Sequence, residues 1–194
     1  QRIIWIATGT RWLARGEISN WFYRGTVTEQ EIKPEPTRAE EWELLRQKHL
    51  RSKTERPDSS AQGIHHLALL SSDVEKTIDF YQGILEFPLT ELFENRDYAG
   101  STHFFFDTGN GNALAFFDFP GLDLGPYKEV LGSLHHLAIS VTPERWHHLR
   151  SRLEAAGVEI VFEHAGSIYF SGPDGERLEL LAEPLGEMNG RAVL

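Results

Sequence analysis

Two histidine pairs stand at equivalent places in two similar segments of the chain, and a glutamate follows the second pair. Gly-Ile-His-His-Leu-Ala-Leu begins at Gly63, and Ser-Leu-His-His-Leu-Ala-Ile begins at Ser133. The second segment closes with Arg-Leu-Glu, which ends at Glu179. Two imidazoles and one carboxylate, without sulfur, suit a single Fe(II), Mn(II), Zn(II) or Ni(II) ion. The repeat therefore predicts a mononuclear metal site whose ligands come from both halves.

Each histidine pair opens a unit with the same order of predicted elements, strand–helix–strand–strand–strand. The predicted strands are 64–71, 88–94, 102–107 and 113–119 in the first unit, and 134–141, 159–163, 167–170 and 177–182 in the second. Ser72 to Glu75 and Thr142-Pro143 carry the N-terminal signals of the two helices. Neither half can bury its own sheet well, so we expect the two units to pair around a shared concave site.

Charge and composition change at about residue 60. Residues 1–60 carry 11 Lys and Arg against 9 Asp and Glu, whereas residues 61–194 carry 8 against 20. An acidic body is a poor partner for nucleic acid, which needs a basic surface. No apolar stretch approaches the roughly 20 residues that cross a membrane, so we expect no membrane partner. The lack of cysteine excludes disulfides and thiolate ligands and favours a cytoplasmic location.

The N-terminal 60 residues contain no catalytic motif. A helix is predicted from Thr37 to Lys53, with a capping box formed by Thr37 and Glu40, and the Ser-, Asp- and Pro-containing stretch from Lys53 to Gly63 is predicted to be a linker. We therefore divide the chain into an extension and linker of unassigned function (1–60), a catalytic domain (61–186) with modules 63–120 and 133–184, and a C-terminal tail (187–194).

The duplicated order, the His-His-Leu-Ala openings and the final Pro-Asp-Gly-x-x-Leu-Glu run resemble the vicinal oxygen chelate superfamily. That group includes glyoxalase I, bleomycin and fosfomycin resistance proteins, methylmalonyl-CoA epimerase and type I extradiol dioxygenases. The resemblance covers about Gly63 to Pro184. It implies an α+β fold in which two tandem βαβββ modules form a cupped, mostly antiparallel sheet around a metal site, with an N-terminal extension outside it.

The same resemblance implies an enzyme that binds oxygen atoms of a small-molecule substrate directly to a divalent metal. The sequence leaves open whether the two modules pair within one chain or across a homodimer. The superfamily supports many reactions on one fold, so the reaction has to be argued from individual residues.

The resemblance carries the metal ligands onto His66, His136 and Glu179, because family members use the second histidine of such a pair. Alternation along a strand agrees, since successive side chains point to opposite faces of a sheet. Glyoxalase I and the epimerase take a fourth ligand from the last strand of the first unit. Here Ala115 falls at that position and cannot ligate. Three protein ligands leave room for substrate, water or oxygen, so we expect Fe(II) first among the divalent metals and no other cofactor.

Two residues near the second unit's last strands are candidate catalytic groups of an extradiol dioxygenase. Tyr169 opens a run, Tyr-Phe-Ser-Gly-Pro-Asp-Gly-Glu-Arg-Leu-Glu, that matches the dioxygenase pattern except that Gly172 replaces a usual polar residue. His164 precedes that run. The dioxygenases have a histidine in a similar place, close to the metal site but not bound to the metal. Each also has a plain structural explanation, Tyr169 as a strand aromatic and His164 as an exposed strand end.

The acid–base histidine of the dioxygenases is missing from its expected place at the start of the first unit's last strand. Gly111 and Asn112 occupy that place, so deprotonating a catechol requires another group. His103, on the adjacent strand, is the nearest candidate in the sequence.

The fosfomycin-modifying enzymes share the His, His and Glu ligands but place a catalytic threonine two residues after the first one, where this chain has Ala68. Their basic phosphonate-binding residues have no clear counterpart either. The first hypothesis is therefore an extradiol-dioxygenase-like oxidoreductase acting on an oxygenated, aromatic small molecule. The alternatives are a glyoxalase-like lyase or isomerase, another metal-dependent member of the superfamily, and a protein that sequesters a ligand.

Overall fold

The computed structural model describes residues 38–194, and the chain divides into two units, residues 1–56 and 57–194. In the described part of the first unit, α1 comprises Ala39–His49 and none of its residues is buried. The helix therefore ends before Lys53, and its predicted cap, Thr37, lies outside the described residues. No helix in the described part of the chain is long and apolar enough to cross a membrane.

Residues 57–194 contain two copies of the predicted βαβββ unit, followed by a short hairpin. The first module comprises β1 (His66–Leu70), α2 (Val74–Ile78, continued by a π-helical turn Asp79–Ile84), β2 (Leu89–Glu94), β3 (Thr102–Asp107) and β4 (Ala113–Phe117). The second module comprises β5 (Leu137–Ser140), α3 (Pro143–Ala155), β6 (Phe162–His164), β7 (Ser167–Ser171) and β8 (Arg177–Leu181), and β9 (Glu187–Met188) pairs with β10 (Arg191–Ala192).

Each module folds its four strands into one sheet with the same topology. The strand orders are β1-β4-β3-β2 and β5-β8-β7-β6. β1 runs parallel to β4 and β5 runs parallel to β8, while the other neighbouring strands are antiparallel. The tandem βαβββ fold is thus confirmed. Ala68 pairs with Ala115 in the first sheet and Ala138 with Glu179 in the second. Ala115 is therefore the structural counterpart of Glu179, as the sequence predicts.

The two module helices begin and end at the residues that their sequences favour. Asp73, rather than Ser72, caps α2 by accepting a hydrogen bond from the backbone N–H of Lys76 at 3.0 Å. Thr142 caps α3 in the same way, and α3 starts with a proline, whose fixed φ suits the first turn. Gly157 follows α3 with a φ of 74°, a left-handed conformation that costs glycine little.

One face of each sheet packs against the helices in a core that both modules share. Tyr81 of α2 lies with its ring centroid 4.9 Å from Phe116 and 5.4 Å from Phe106. Phe80 reaches Phe170 of the second module at 6.4 Å. The opposite face of each sheet lies outside this core, and we call these two surfaces the open faces.

The turn between β7 and β8 connects the second module to the start of α2 in the first. The Tyr81 hydroxyl donates to Glu176 Oε1 at 2.7 Å, and Lys76 Nζ donates to the Pro173 carbonyl at 3.0 Å. The Ser72 N–H donates to Asp174 Oδ2 at 3.1 Å. Burial raises the pKa of Glu176, because the charged carboxylate loses solvation there.

Glu86 makes a second connection between the modules, at the other end of the π-helical turn. Its carboxylate faces two arginines and a histidine of α3, with N···O distances of 2.5 Å to Arg145, 3.0 Å to His148 and 3.4 Å to Arg152. Arg152 Nε also donates to the Ile84 carbonyl at 2.9 Å. These contacts keep the helices of the two modules side by side and leave the open faces outside the contact.

Gly172, the departure from the dioxygenase pattern, has a steric explanation in this turn. A Cβ atom at residue 172 would overlap the carboxyl group of Glu176. The carboxylate cannot move aside freely, since Tyr81 donates to one oxygen and the Asp174 N–H donates to the other at 3.0 Å. A side chain at residue 172 is therefore incompatible with the buried position of Glu176.

We expect Gly172→Ala to lower the free energy of unfolding by about 1–3 kcal/mol, because the methyl group displaces a hydrogen-bonded, buried carboxylate. Denaturant unfolding measures the change. Gly83→Ala is the matched control, since a Cβ there meets no atom within 4 Å, and it should stay near the wild-type value. Equal stability of the two variants would contradict the steric role of Gly172.

Candidate metal centre

Two of the three predicted metal ligands meet on the open face of the second module. His136 directly precedes β5 and Glu179 lies in the middle of β8, and the parallel pairing of these strands places them as neighbours. His136 Nε2 lies 3.2 Å from Glu179 Oε2, and Glu179 is buried while His136 is partly exposed. Burial lowers the pKa of His136, against the opposing charge of Glu179. The imidazole is therefore favoured in the neutral form that binds metals.

Two hydroxyl groups on β7 hold the carboxylate of Glu179. Ser167 Oγ donates to Glu179 Oε1, and the Tyr169 hydroxyl also hydrogen-bonds to this carboxylate. The ring of Tyr169 lies edge-on to His136 with centroids 5.6 Å apart. Burial, followed by the neighbouring Glu179, raises the pKa of Tyr169 to about 12. Tyr169 thus remains a neutral hydrogen-bond donor through the physiological pH range.

The first module carries the third predicted ligand on its own open face. His66 is exposed at the start of β1, and His103 lies on the same face of the sheet, near enough for the charge of His66 to act on it. The His103 ring stacks on Phe117 with centroids 3.8 Å apart, and Phe105 lies at 4.3 Å. Phe93 meets the same ring edge-on at 5.3 Å. A wall of aromatic rings therefore surrounds this histidine.

The Nε2 atom of His103 is buried and has no hydrogen-bond partner among the described residues. Burial, and to a smaller degree the charge of His66, lowers the pKa of His103. A buried polar atom without a partner is costly, so each such atom in a native structure needs an explanation, for example a catalytic role or a bound water or ion. His103 therefore presents a neutral imidazole nitrogen that is ready to exchange a proton or hydrogen bond with a ligand.

The histidine pairs lie at the starts of β1 and β5, and the two members of each pair contact each other. His65 lies before β1 and His135 before β5, so the strand rule does not separate them from their neighbours. Instead, the Nδ1 atoms of His65 and His66 are 2.8 Å apart, and those of His135 and His136 are 2.6 Å apart. The first histidine of each pair thus contacts the predicted ligand and helps to fix its ring.

His164 lies at the end of β6 and is exposed. It pairs with Ser167 across β6 and β7, and its ring is 6.4 Å from that of Phe162. It therefore stands at the edge of the open face of the second module.

The predicted site residues fall into two groups, one on each module. His136, Glu179 and Tyr169 contact one another on the second module, and His66 and His103 are neighbours on the first. Within residues 38–194, no three His, Cys, Asp or Glu side chains lie close enough to hold one metal ion. One chain thus brings two of the three predicted ligands together.

Two polar residues on the open face of the second module were not predicted from the sequence. Ser167 stands two residues before Tyr169 on β7, and Arg177 stands two residues before Glu179 on β8. The period of two along each strand could have indicated both, since it places them on the face that carries the ligand.

Comparison with known proteins identifies relatives over the two modules. The family model described as the glyoxalase/bleomycin resistance protein/dioxygenase superfamily matches residues 63–180. The chain is 30% identical over 139 residues to the putative ring-cleaving dioxygenase MhqA of Bacillus subtilis, an alignment that covers 68% of the chain and 43% of that protein. The chain thus spans less than half the length of this relative.

Further relatives include a metallothiol transferase and a fosfomycin resistance protein. The metallothiol transferase FosB of Shouchella clausii is 31% identical over 133 residues, which cover 64% of the chain and 83% of that protein. Among solved structures, a point mutant of the fosfomycin resistance protein FosX from Listeria monocytogenes, complexed with Mn(II) and 1S,2S-dihydroxypropylphosphonic acid, gives a TM-score of 0.50 at 26% identity. That likeness covers 64% of the chain and 95% of FosX. These relatives confirm the prediction of an enzyme.

Ser167→Ala should lower the free energy of unfolding by about 1–3 kcal/mol in protein without metal, because the buried Glu179 carboxylate loses a donor. Denaturant unfolding at neutral pH measures the loss. Ser151→Ala provides the control, since Ser151 is exposed on α3 and its hydroxyl donates to a backbone carbonyl of the same helix at 3.0 Å. Ser167 would have no holding role if the two alanine variants were equally stable.

Proposed function

Because the chain belongs to the glyoxalase/bleomycin resistance protein/dioxygenase superfamily, we propose that it is a metal-dependent, ring-cleaving oxygenase of the extradiol type. Its substrate is a hydroxylated aromatic molecule, and its metal is Fe(II). The observation that carries this proposal is His103, whose unpartnered Nε2 lies in a wall of aromatic rings beside His66. In this proposal the substrate ring binds against the aromatic wall and directs its hydroxyl group to Nε2.

The donor set fits a divalent metal. His136 Nε2 and Glu179 Oε2 already converge at 3.2 Å, and imidazole with carboxylate suits Fe(II) or Mn(II). His66 is the remaining ligand, and Ala115 offers no fourth donor. When bound, such an ion supplies Lewis-acid chemistry to substrate oxygens and, as Fe(II), redox chemistry with dioxygen.

We propose that a second copy of the chain supplies His66 to the His136–Glu179 pair. The helices of the two modules contact each other within one chain, and this leaves both open faces uncovered by the shared core. Each open face includes exposed aromatic side chains, Phe93 at 45% on the first module and Phe162 at 38% on the second. Pairing the first module of one copy with the second module of the other covers these side chains and unites the three ligands twice per dimer.

The remaining residues then take defined roles around a substrate ring. His103 accepts the proton of a ring hydroxyl at Nε2, which its lowered pKa keeps free to accept one. Tyr169 donates to Glu179 and fixes the direction of that carboxylate. Phe105 and Phe117 bind the face of the ring and exclude water from it. His164, at the edge of the open face, is a hydrogen-bonding group for the substrate's outer part.

A fosfomycin-type transferase is the second candidate, since the chain covers most of the metallothiol transferase FosB. The matched FosX structure holds Mn(II) and a dihydroxypropylphosphonic acid. Ala68 argues against this reaction, because it lies exposed on the face of β1 beside His66 and has no hydroxyl. Iron after anaerobic purification and oxygen uptake with catechols support ring cleavage, whereas loss of fosfomycin with Mn(II) and a thiol supports transfer.

A shared site predicts that two inactive variants complement each other. His66→Ala and His136→Ala should each lose tight Mn(II) binding. Unfolding and refolding them together should give mixed dimers in which one site is intact, so that the mixture regains about a quarter of the wild-type Mn(II) content. Electron paramagnetic resonance of bound Mn(II) measures the recovery.

The matched control is the double variant His66→Ala, His136→Ala refolded with wild type. Its mixed dimers contain no intact site, so the Mn(II) content should not exceed that of the wild-type homodimers present. A mixture of the single variants that binds no more Mn(II) than either parent contradicts a site shared between copies.

His103→Gln should lower the rate of catechol-dependent oxygen uptake by about 10²–10⁴-fold, the usual contribution of general acid–base catalysis. Its metal content should match that of the wild type, because His103 is not a ligand. His147→Gln, an exposed histidine on α3, should keep the wild-type rate. The proton-transfer role fails if the two glutamine variants oxidise catechol equally fast.

A further inference from the structure

A buried guanidinium stands beside the metal ligands of the second module. Arg177 lies two residues before Glu179 on β8 and next to His136 in the parallel pairing with β5, and it is only 7% exposed. Its Nη1 lies 3.2 Å from His135 Nε2. Burial is the main cause of the raised pKa of Tyr169, and the charge of Arg177 acts against that rise. The guanidinium therefore lies near the open face, and its charge acts on Tyr169 of that face.

The guanidinium of Arg177 forms an ion pair with Glu129, which lies between the modules. We call residues 119–134 the inter-module linker. The Glu129 side chain remains 25% exposed although that of Arg177 is 8% exposed. The carboxylate therefore covers the guanidinium from the solvent side, where a ligand would approach.

The inter-module linker is held by short-range contacts of its own and by Tyr127, which lies beside Gly175 and whose hydroxyl donates to the Leu134 carbonyl. Hydrogen bonds join Leu122 to Phe119 at 3.1 Å and Ser133 to Val130 at 2.9 Å, each between backbone atoms. The residues after Glu129 project into solvent, with Val130 66% and Leu131 105% exposed. Within the described part of the chain, these residues therefore make no buried apolar contacts that would oppose a local movement of the Glu129 side chain, and such segments open at low cost.

We propose that Arg177 recognises an oxyanion of the substrate, a carboxylate or phosphonate group, and that Glu129 occupies the guanidinium until this group replaces it. The planar fork of arginine binds either anion with two parallel hydrogen bonds, so both compete with Glu129 for the same donors. The inference rests on the proposed function, because it names the charged group of a substrate bound at that site. It identifies the substrate as an oxygenated aromatic anion.

The acidic character of the chain means that an anion needs a cationic group at the site itself, and Arg177 is such a group once the anion is in contact with it. Residues 61–194 carry 20 Asp and Glu against 8 Lys and Arg, and so repel anions at long range. Glu129 neutralises Arg177 while the site is empty. An anion that reaches the site gains the guanidinium only by displacing a carboxylate, so weakly bound anions are rejected.

Binding of small anions to the full chain without metal tests the proposal. The probes are benzoate, phenylphosphonate and the uncharged benzamide, measured by isothermal titration on wild type, Glu129→Gln, Arg177→Gln and Asp123→Asn. We expect Glu129→Gln to bind benzoate or phenylphosphonate roughly tenfold tighter than wild type does, because the internal competitor is neutral. Arg177→Gln should not distinguish the anions from benzamide. Whichever anion gains more in Glu129→Gln identifies the substrate group.

Asp123→Asn is the matched control, because this linker carboxylate accepts a hydrogen bond from the Gly125 N–H at 3.1 Å. We expect this variant to bind both anions with the wild-type affinity. Hydrogen exchange gives an independent readout: benzoate should speed exchange of the amides of residues 128–131 in wild type, as Glu129 is released. Equal anion affinity of wild type and Glu129→Gln, or equal binding of benzoate and benzamide by Glu129→Gln, would overturn the proposal. Mn(II) titration of the same proteins tests the metal site separately, because the anion measurements need no metal.

Discussion

The division of each sheet into a buried face and an open face governs the rest of the structure. Strand alternation places Phe104, Phe106 and Phe116 against α2, and it turns His103 and Phe117 the other way. A shift of one residue in any strand would exchange these sets, burying imidazoles and exposing the core. The aromatic core of the two modules therefore fixes the register of the functional side chains without touching them.

The two modules share one topology but carry different side chains on their open faces. The positions that hold Arg177 and Glu179 on β8 hold Ala113 and Ala115 on β4, in the same register with the first strand. The second module thus provides the carboxylate, its hydroxyl donors and the guanidinium. The first module carries the remaining predicted ligand, His66, and the aromatic wall with His103. Neither module has the groups of a complete site, so the proposed chemistry requires the open faces to meet.

The sequence predicts the fold and the face of most site residues, because period-two patterns and helix caps are local. The strand–helix–strand–strand–strand order along each unit, the caps at Thr142 and Gly157, and the alignment of Ala115 with Glu179 agree with the sequence prediction. The contacts of Ser167, Arg177 and Glu129 were missed, since each joins residues that are distant in sequence. The alternation argument for the histidine pairs stays a prediction, because His65, His135 and His136 lie outside the strands to which it was applied.

The small residues on β4 have a consequence for the evolution of specificity. Ala113 and Ala115 stand at the positions where the second module places long charged side chains, and Ala115 is completely buried. A larger side chain at residue 115 must therefore displace its neighbours in the first sheet, and it leaves the carboxylate and the guanidinium of the second module untouched. Under the proposed function, the shape and the charge of the site depend on separate halves of the chain, so that each property can diverge while the other is held constant.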